Sequence, residues 1–351
     1  MFGITGSNGK TSTKDFTASV IAQKFKVNAT KGNRNNHIGL PLSVLSTEEG
    51  DQVCVWEMGM SHAGEIAPLC QIAGPDIGII TNIGTAHIEF LKTREGIAEE
   101  KSALARALPE QGTLILPASC DFVDYLIERT RAKVMIAGNC RGVVRAEDLR
   151  VTETGSVFKL CIDQQDEVPV ELSVSGKHMV NNALLAAATG HALGMKSPEI
   201  AAGLSQAQLT GGRLQKYVSG GVSVIDDTYN ANPDSVIAAI DTLVELPTHN
   251  GARRLVVLGA MAELGVHSDA EHRRVGKVAA EKNLTVVSVG DGARKIYEGA
   301  IEVSDDVHQF DDAESAALWI KDFCKEGDSA LFKGSRMAGM EKVMNQAFPH
   351  N

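Results

Sequence analysis

Two features that would send this chain into or across a membrane are missing. No apolar run reaches transmembrane length, and no basic segment with an apolar stretch behind it opens the sequence, so a cytoplasmic protein is expected. Paired cysteines are missing as well. Cys54, Cys70, Cys120, Cys140, Cys161 and Cys324 are scattered with no C-x-x-C among them, which reads as reduced thiols rather than a disulfide framework or a metal cluster. There is no internal repeat and no low-complexity segment. Positive charge is in deficit too: 34 Lys and Arg against 44 Asp and Glu leave a net charge of −10. That argues against nucleic acid as the main partner, because a phosphate backbone wants a basic face. It says little about a small nucleotide, whose phosphates a few local groups can neutralise.

What is present is ordinary globular material, 43% hydrophobic and 22% charged, in 351 residues. That length suggests about two domains, each able to bury a core. Strand-like apolar runs alternate with helical patterns along most of it. Helix is expected over 11–25, 95–107 and 180–193, and strands over 53–56, 77–80, 113–116 and 133–136. The runs 150–152 and 157–162, separated by Thr154-Gly155-Ser156, predict a hairpin that closes this half with an antiparallel section. Beyond Leu209-Thr-Gly-Gly-Arg-Leu214, the expected hinge, a fresh alternation begins. It predicts strands at 222–225, 254–258, 285–289 and 329–332 and helices at 235–246, 268–282, 312–325 and 336–347. The fold class is therefore α/β: a P-loop-type parallel sheet domain over 1–211 with helices on both faces, then a smaller Rossmann-like α/β domain over 212–351.

The chemistry starts at Gly3-Ile-Thr-Gly-Ser-Asn-Gly-Lys-Thr11. Backbone N–H groups of such a loop point at phosphate oxygens, and the helix behind adds its positive end. Gly6, Ser7, Asn8 and Gly9 would form the cradle, Lys10 would neutralise the β- and γ-phosphates, and the Thr11 hydroxyl would hold Mg²⁺. The spacing departs from G-x-x-x-x-G-K-[ST], whose first glycine would fall on Ile4. Only Met1-Phe2 precede Gly3, so either the first strand is abnormally short or the chain lacks an upstream domain.

Ligands of open α/β sheets sit beyond the carboxyl ends of the strands. Glu57 follows the run 53–56, where a carboxylate would complete a Mg²⁺ site with Thr11; the alternative is a solvated strand-end acid. Thr81-Asn82 closes the run 77–80, and His87 follows, either a group of that site or a structural histidine. Lys101 falls inside a helical stretch, where a lysine is ordinarily a solvated surface charge.

Several segments together are specific. They are the loop with its displaced glycine, Thr30-Lys-Gly-Asn-Arg-Asn-Asn-His-Ile-Gly-Leu-Pro41, Glu57-Met-Gly-Met-Ser-His-Ala-Gly-Glu-Ile66, Asp227-Thr-Tyr-Asn-Ala-Asn-Pro-Asp-Ser235, Met261-Ala-Glu-Leu-Gly265 and Lys333-Gly-Ser-Arg336. In these segments the chain resembles the Mur ligases from residue 3 to about 347. The resemblance implies ATP-dependent amide formation through an acyl phosphate, with UDP-N-acetylmuramoyl-tripeptide and D-alanyl-D-alanine as partners, in a monomer. It also implies two Mg²⁺ ions, with Thr11 and Glu57 on the first, His87 on the second, and Lys101 carbamylated so that a cation becomes an anionic oxygen ligand. Asn182 is implied at the adenine, Arg213 at the phosphates, Asp227 near the ribose, and Asn35 and Asn36 at the nucleotide-sugar. Lys333, Ser335 and Arg336 could take the dipeptide carboxylate, since Arg suits bidentate carboxylate recognition; the alternative is a helix-starting turn.

Departures from the family pattern are Ala260, in place of an acidic residue, and Met179, in place of an Asn. A UDP-binding domain of roughly a hundred residues, which the family carries first, is not in this sequence. Two alternatives stay open: a cyanophycin- or folylpolyglutamate-type ligase, and an ATP-binding module without ligase activity.

Overall fold

A computed structural model describes residues 1–138, 142–163, 165–247 and 251–349; Cys140 lies outside them. The chain forms two compact units. The first holds Met1–Arg150, Gly155–Ser173 and Lys177–Thr210; the second holds Gly211–Asn351 with the short segments Val151–Thr154 and Val174–Gly176.

The strands of the first unit are β1 (Phe2–Thr5), β2 (Val27–Ala29), β3 (Val53–Glu57), β4 (Ile77–Ile80), β5 (Thr113–Pro117), β6 (Lys133–Ala137), β7 (Val144–Val151), β8 (Ser156–Ile162) and β9 (Val168–Leu172). They form one sheet in the order β2-β3-β1-β4-β5-β6-β7-β8-β9, parallel from β2 to β7 and antiparallel between β8 and β9. β1 is four residues long and takes in Gly3-Ile4-Thr5, so the phosphate loop proper begins at Gly6. Successive side chains of a strand point to opposite faces. Cys54, Trp56 and Ile80 accordingly pack with helices Ile66–Ala73 and Arg94–Ala107. Phe2, Ile4, Val55 and Ile79, out of phase with them and fully buried, point to the other face. Burial on both faces explains why β1, β3 and β4 read as continuous apolar runs rather than alternating ones. Gly3 faces Met58 and Leu104, and a Cβ there would stand 3.0 Å from both.

The second unit has β10 (Gln215–Ser219), β11 (Val222–Asp227), β12 (Arg254–Leu258), β13 (Thr285–Val289), β14 (Val307–Phe310) and β15 (Ser329–Lys333), in the order β10-β11-β15-β12-β13-β14. β10 is antiparallel to β11 and the rest are parallel. Val224, Val257, Val287, Phe332 and Ile320 lie in its core.

The α/β class is as expected, with corrections in detail. The strand expected at 150–152 starts at Val144, and β2, β9, β10 and β14 were not anticipated. The helix expected over 336–347 is interrupted: a single turn, Arg336–Ala338, gives way at Gly339 (φ 60°) to helix Met340–Ala347. Among the described residues no helix is long and apolar enough to cross a membrane. The five described cysteines are free thiols.

Candidate active site

The carboxyl ends of β3, β1 and β4 lie side by side, with Ile4 opposite Glu57 and Thr5 opposite Ile80. The loop Gly6–Gly9 crosses this edge and is braced by the residues after β4. Ser7 N–H donates to Asn82 O (3.1 Å), Asn8 N–H to Asn82 Oδ1 (2.8 Å), Thr81 Oγ1 to Asn8 O (2.5 Å) and Gly84 N–H to Ser7 Oγ (2.9 Å). Two glycines are demanded by this geometry. Gly6 has φ 151° and a Cβ there would lie 1.8 Å from Thr81 Oγ1; Gly9 has φ 77° and its Cβ would lie 2.5 Å from Asn182 Oδ1. Gly9 leads into helix Lys10–Ala22, whose N-terminus therefore opens onto the loop. Lys10 Nζ donates to Gly6 O (2.8 Å) and Ser7 O (3.4 Å), which holds its ammonium across the mouth of the cradle. Thr11 is buried in the first turn.

Glu57 is the last residue of β3 and is 2% exposed, so it is no solvated strand-end acid. Its N–H donates to Thr30 Oγ1 (3.0 Å) and its Oε1 accepts from Asn35 Nδ2 (2.8 Å). Its Oε2 is buried and has no hydrogen-bond partner. An orphaned carboxylate oxygen is costly in a protein interior. At the strand edge that the phosphate loop crosses, it fits a hard divalent cation, which takes oxygen ligands. His87, half-buried, sits past the end of β4 with φ 64°, an unusual conformation for a residue with a side chain, at the start of the short helix Ile88–Leu91. Lys101, on helix Arg94–Ala107, is 1% exposed and not a surface charge. Burial, with the nearby Lys10 ammonium adding repulsion, holds its amine well below the ordinary lysine range. The neighbouring Glu100 is turned to the N–H groups of Gly64 and Ile66.

Asn182 is buried on helix Lys177–Ala192 and packs against Gly9, with Nδ2 3.7 Å from Met179 Sδ. Asn36 Oδ1 accepts from Ile38 and Gly39 N–H, which orders the start of helix Gly39–Leu45. The bracing roles of Thr30, Thr81, Asn82 and Asn35 were not foreseen; the nearest signal was that Thr30 and Asn35 share the 30–41 segment.

The other expected residues belong to the second unit. Asp227 ends β11 opposite Lys333 at the end of β15, and the two side chains meet at 2.5 Å. Lys333, 3% exposed, also donates to Asn230 O (2.9 Å). Burial pushes the Asp227 carboxyl upward against the opposing pull of Lys333 and Arg213. The Arg213 guanidinium stacks on the Tyr229 ring at 4.1 Å. Ser335 is buried and its N–H donates to Ala260 O (2.9 Å); Arg336 is exposed, 3.5 Å from Glu341. Met261 N–H donates to His272 Nε2 (2.9 Å), and Nδ1 of that ring lies 2.8 Å from Ser268 O. Nε2 must then be bare and Nδ1 protonated, so the ring is neutral, as its burial favours.

Residues 4–190 match the Mur ligase middle domain, and residues 212–336 the Mur ligase, glutamate ligase domain. The UDP-N-acetylmuramoyl-tripeptide–D-alanyl-D-alanine ligase of Bacillus subtilis is 36% identical over 98% of this chain and 75% of its own length. The Escherichia coli enzyme of the same name is 33% identical over 97% and 75%. A crystal structure of MurF from Acinetobacter baumannii covers 99% of the chain, with 76% of its own chain matched, at TM-score 0.91 and 34% identity. MurF from Thermotoga maritima, solved in complex with ADP, covers 99% with 78% of its own chain matched, at TM-score 0.87 and 30% identity. The chain thus spans about three quarters of the length of these relatives. It belongs to the Mur ligase family.

Proposed function

We propose that this chain joins D-alanyl-D-alanine to UDP-N-acetylmuramoyl-tripeptide at the expense of ATP. The observation that carries the reading is the buried Glu57 carboxylate, one oxygen unpartnered, beside a Gly-Lys-Thr phosphate loop, in a chain whose relatives carry that ligase's name.

The residues divide the work as follows. The loop Gly6–Gly9, the N-terminus of the helix behind it and Lys10 bind the ATP phosphates, and Lys10 stabilises charge on the transferred phosphoryl group. Thr11 and Glu57 would hold one Mg²⁺ and His87 a second, and such ions would supply positive charge to the phosphate oxygens. Lys101, whose burial holds its amine well below the ordinary lysine range, carries a carbamate that would add a second anionic oxygen to the one Glu57 offers. Asn182 contacts the base, Arg213 the phosphates and Asp227 the ribose. Asn35 and Asn36 line the side that faces the nucleotide-sugar. The tripeptide carboxylate attacks the γ-phosphate, forming an acyl phosphate and releasing ADP. The dipeptide amine, bound through its carboxylate by Ser335 and Arg336 with Lys333 behind them, then attacks the acyl carbon, phosphate leaves, and the amide remains. A monomer in the cytoplasm suffices for this reaction.

The test is coupled release of ADP and phosphate by the purified chain with each substrate alone and with all three, alongside mass spectrometry of the product. The expected result is one amide product per ADP, dependent on both the UDP-tripeptide and D-alanyl-D-alanine. Turnover with a free amino acid or a folate in place of the dipeptide, or ATP hydrolysis indifferent to both substrates, would overturn the assignment.

A further inference from the structure

Two charged side chains just behind the phosphate loop take no part in the chemistry above. Lys14 and Asp15 lie on helix Lys10–Ala22, and their side chains are 7% and 9% exposed. Lys14 Nζ meets Asp15 Oδ1 at 2.7 Å and donates to the Thr30 carbonyl at 3.0 Å. Asp15 Oδ2 accepts the Thr210 N–H at 2.8 Å. Thr30 extends the connection: its N–H donates to Val55 O (3.0 Å), and its Oγ1 accepts the Glu57 N–H.

A buried ion pair is weak evidence of stability, because desolvation offsets the attraction and apolar residues of similar volume often serve as well. This one reaches distant main-chain points. One arm ends, through Thr30, on the amide of Glu57. The other ends on Thr210, the last residue of the first unit. Both start from the helix whose first residue is Lys10, and Lys14 lies one turn along the same face. Neither arm is an exposed surface pair free to rearrange.

We propose that Lys14 and Asp15 are positioning residues that tie the metal carboxylate Glu57, and the chain where it leaves the first unit, to the phosphate-loop helix. The Glu57 arm rests on the metal reading given under Proposed function; the Thr210 arm does not. Any displacement of that helix when phosphates enter the loop is passed to both points at once.

The test uses the full chain and two variants. In Lys14→Met/Asp15→Leu, which replaces the pair with apolar residues, hydrogen exchange at the Thr210 amide should be about tenfold faster or more. The Mg²⁺ concentration that half-saturates binding with ADP, measured by calorimetry, should rise about tenfold. Thr30→Val removes only the acceptor for Glu57 N–H. It should shift the Mg²⁺ midpoint in the same direction and leave Thr210 exchange unchanged, and it keeps the test alive if the double variant does not fold. A folded double variant with wild-type protection at Thr210, or a Thr30→Val protein that binds Mg²⁺ like the parent, would overturn the inference. A parent chain that binds no Mg²⁺ would instead overturn the metal reading and the Glu57 arm with it, while Thr210 exchange would still judge the other arm.

Discussion

The two sheets end in the same way and use their charges differently. At the edge of the first unit, Glu57 keeps one buried oxygen without a partner, and the buried Lys101 has the Lys10 ammonium nearby. At the edge of the second, Asp227 and Lys333 meet each other, and Lys333 also takes the Asn230 carbonyl. Buried charge is tolerated only when paired or ligated. An edge left incomplete by its own side chains therefore points to an ion among its ligands, while the pair at the second edge also orders the loop that follows it. In the second unit that loop is 227–230, on which Tyr229 carries Arg213.

The comparison breaks most sharply at Lys10. Lys10→Ala should lower ligation on the order of 10³-fold and weaken Mg-ATP binding, with an unfolding midpoint close to the parent's. Wild-type-like turnover by this variant would remove the first edge from the chemistry. The next largest effect belongs to the second edge and should fall on stability. Lys333→Met leaves a buried carboxylate without its ammonium and should cost about 3–5 kcal/mol in urea unfolding. A variant of parental stability that has lost only its affinity for the dipeptide would show that Lys333 serves the substrate instead.

Lys101→Ala should cost about 10²-fold in turnover and regain part of it when a short carboxylic acid is supplied in solution. Intact-mass measurement sharpens the point. Because a carbamate forms on the neutral amine, the parent should carry the mass of one CO₂ and lose it in acidic, bicarbonate-free buffer. A parent that never carries this mass, or a Lys101→Ala variant that no acid rescues, would count against the carbamate. The smallest effect concerns His272. Its folded-state proton affinity is lowered by burial, so the unfolded chain takes up the proton first. Stability should fall as pH drops below about 6.5 towards the lower folded value, then level off. His272→Gln should flatten that part of the curve; an unchanged curve would show that the ring does not titrate there.

Much of the fold was legible because central strands announce themselves. Ile77–Ile80, Arg254–Leu258 and Thr285–Val289 are apolar runs buried on both faces, and the structure places strands over those spans. The four strands that escaped, β2, β9, β10 and β14, are the outer strands of the two sheets. An edge strand pairs on one side only and carries residues such as Asn28, Glu171, Lys216 and His308, so its pattern fades into that of a loop. In the site, Gly9-Lys10-Thr11 was readable because phosphate binding fixes its spacing. Glu57 was readable as a strand end, but its burial was not, since that depends on Thr30 and Asn35 arriving from another segment. Lys101 carried no local signal at all, because what separates it from a surface lysine is its burial in the folded unit, with Lys10 from a distant segment nearby.

The strand that leads into the phosphate loop has no partner near it in sequence. Phe2 lies opposite Val55 on one side and Ile77 on the other, and all four residues of β1 are buried. On the ribosome this segment emerges before either neighbour exists, and at ordinary elongation rates the second follows on the order of ten seconds later. During that interval an apolar strand with both edges open is a target for association with other nascent chains. The phosphate-loop edge thus cannot begin to assemble until both neighbours have been made. The yield of the first unit in expression should depend on temperature and chaperone supply more than that of the second unit, whose outer pair β10 and β11 are hairpin neighbours.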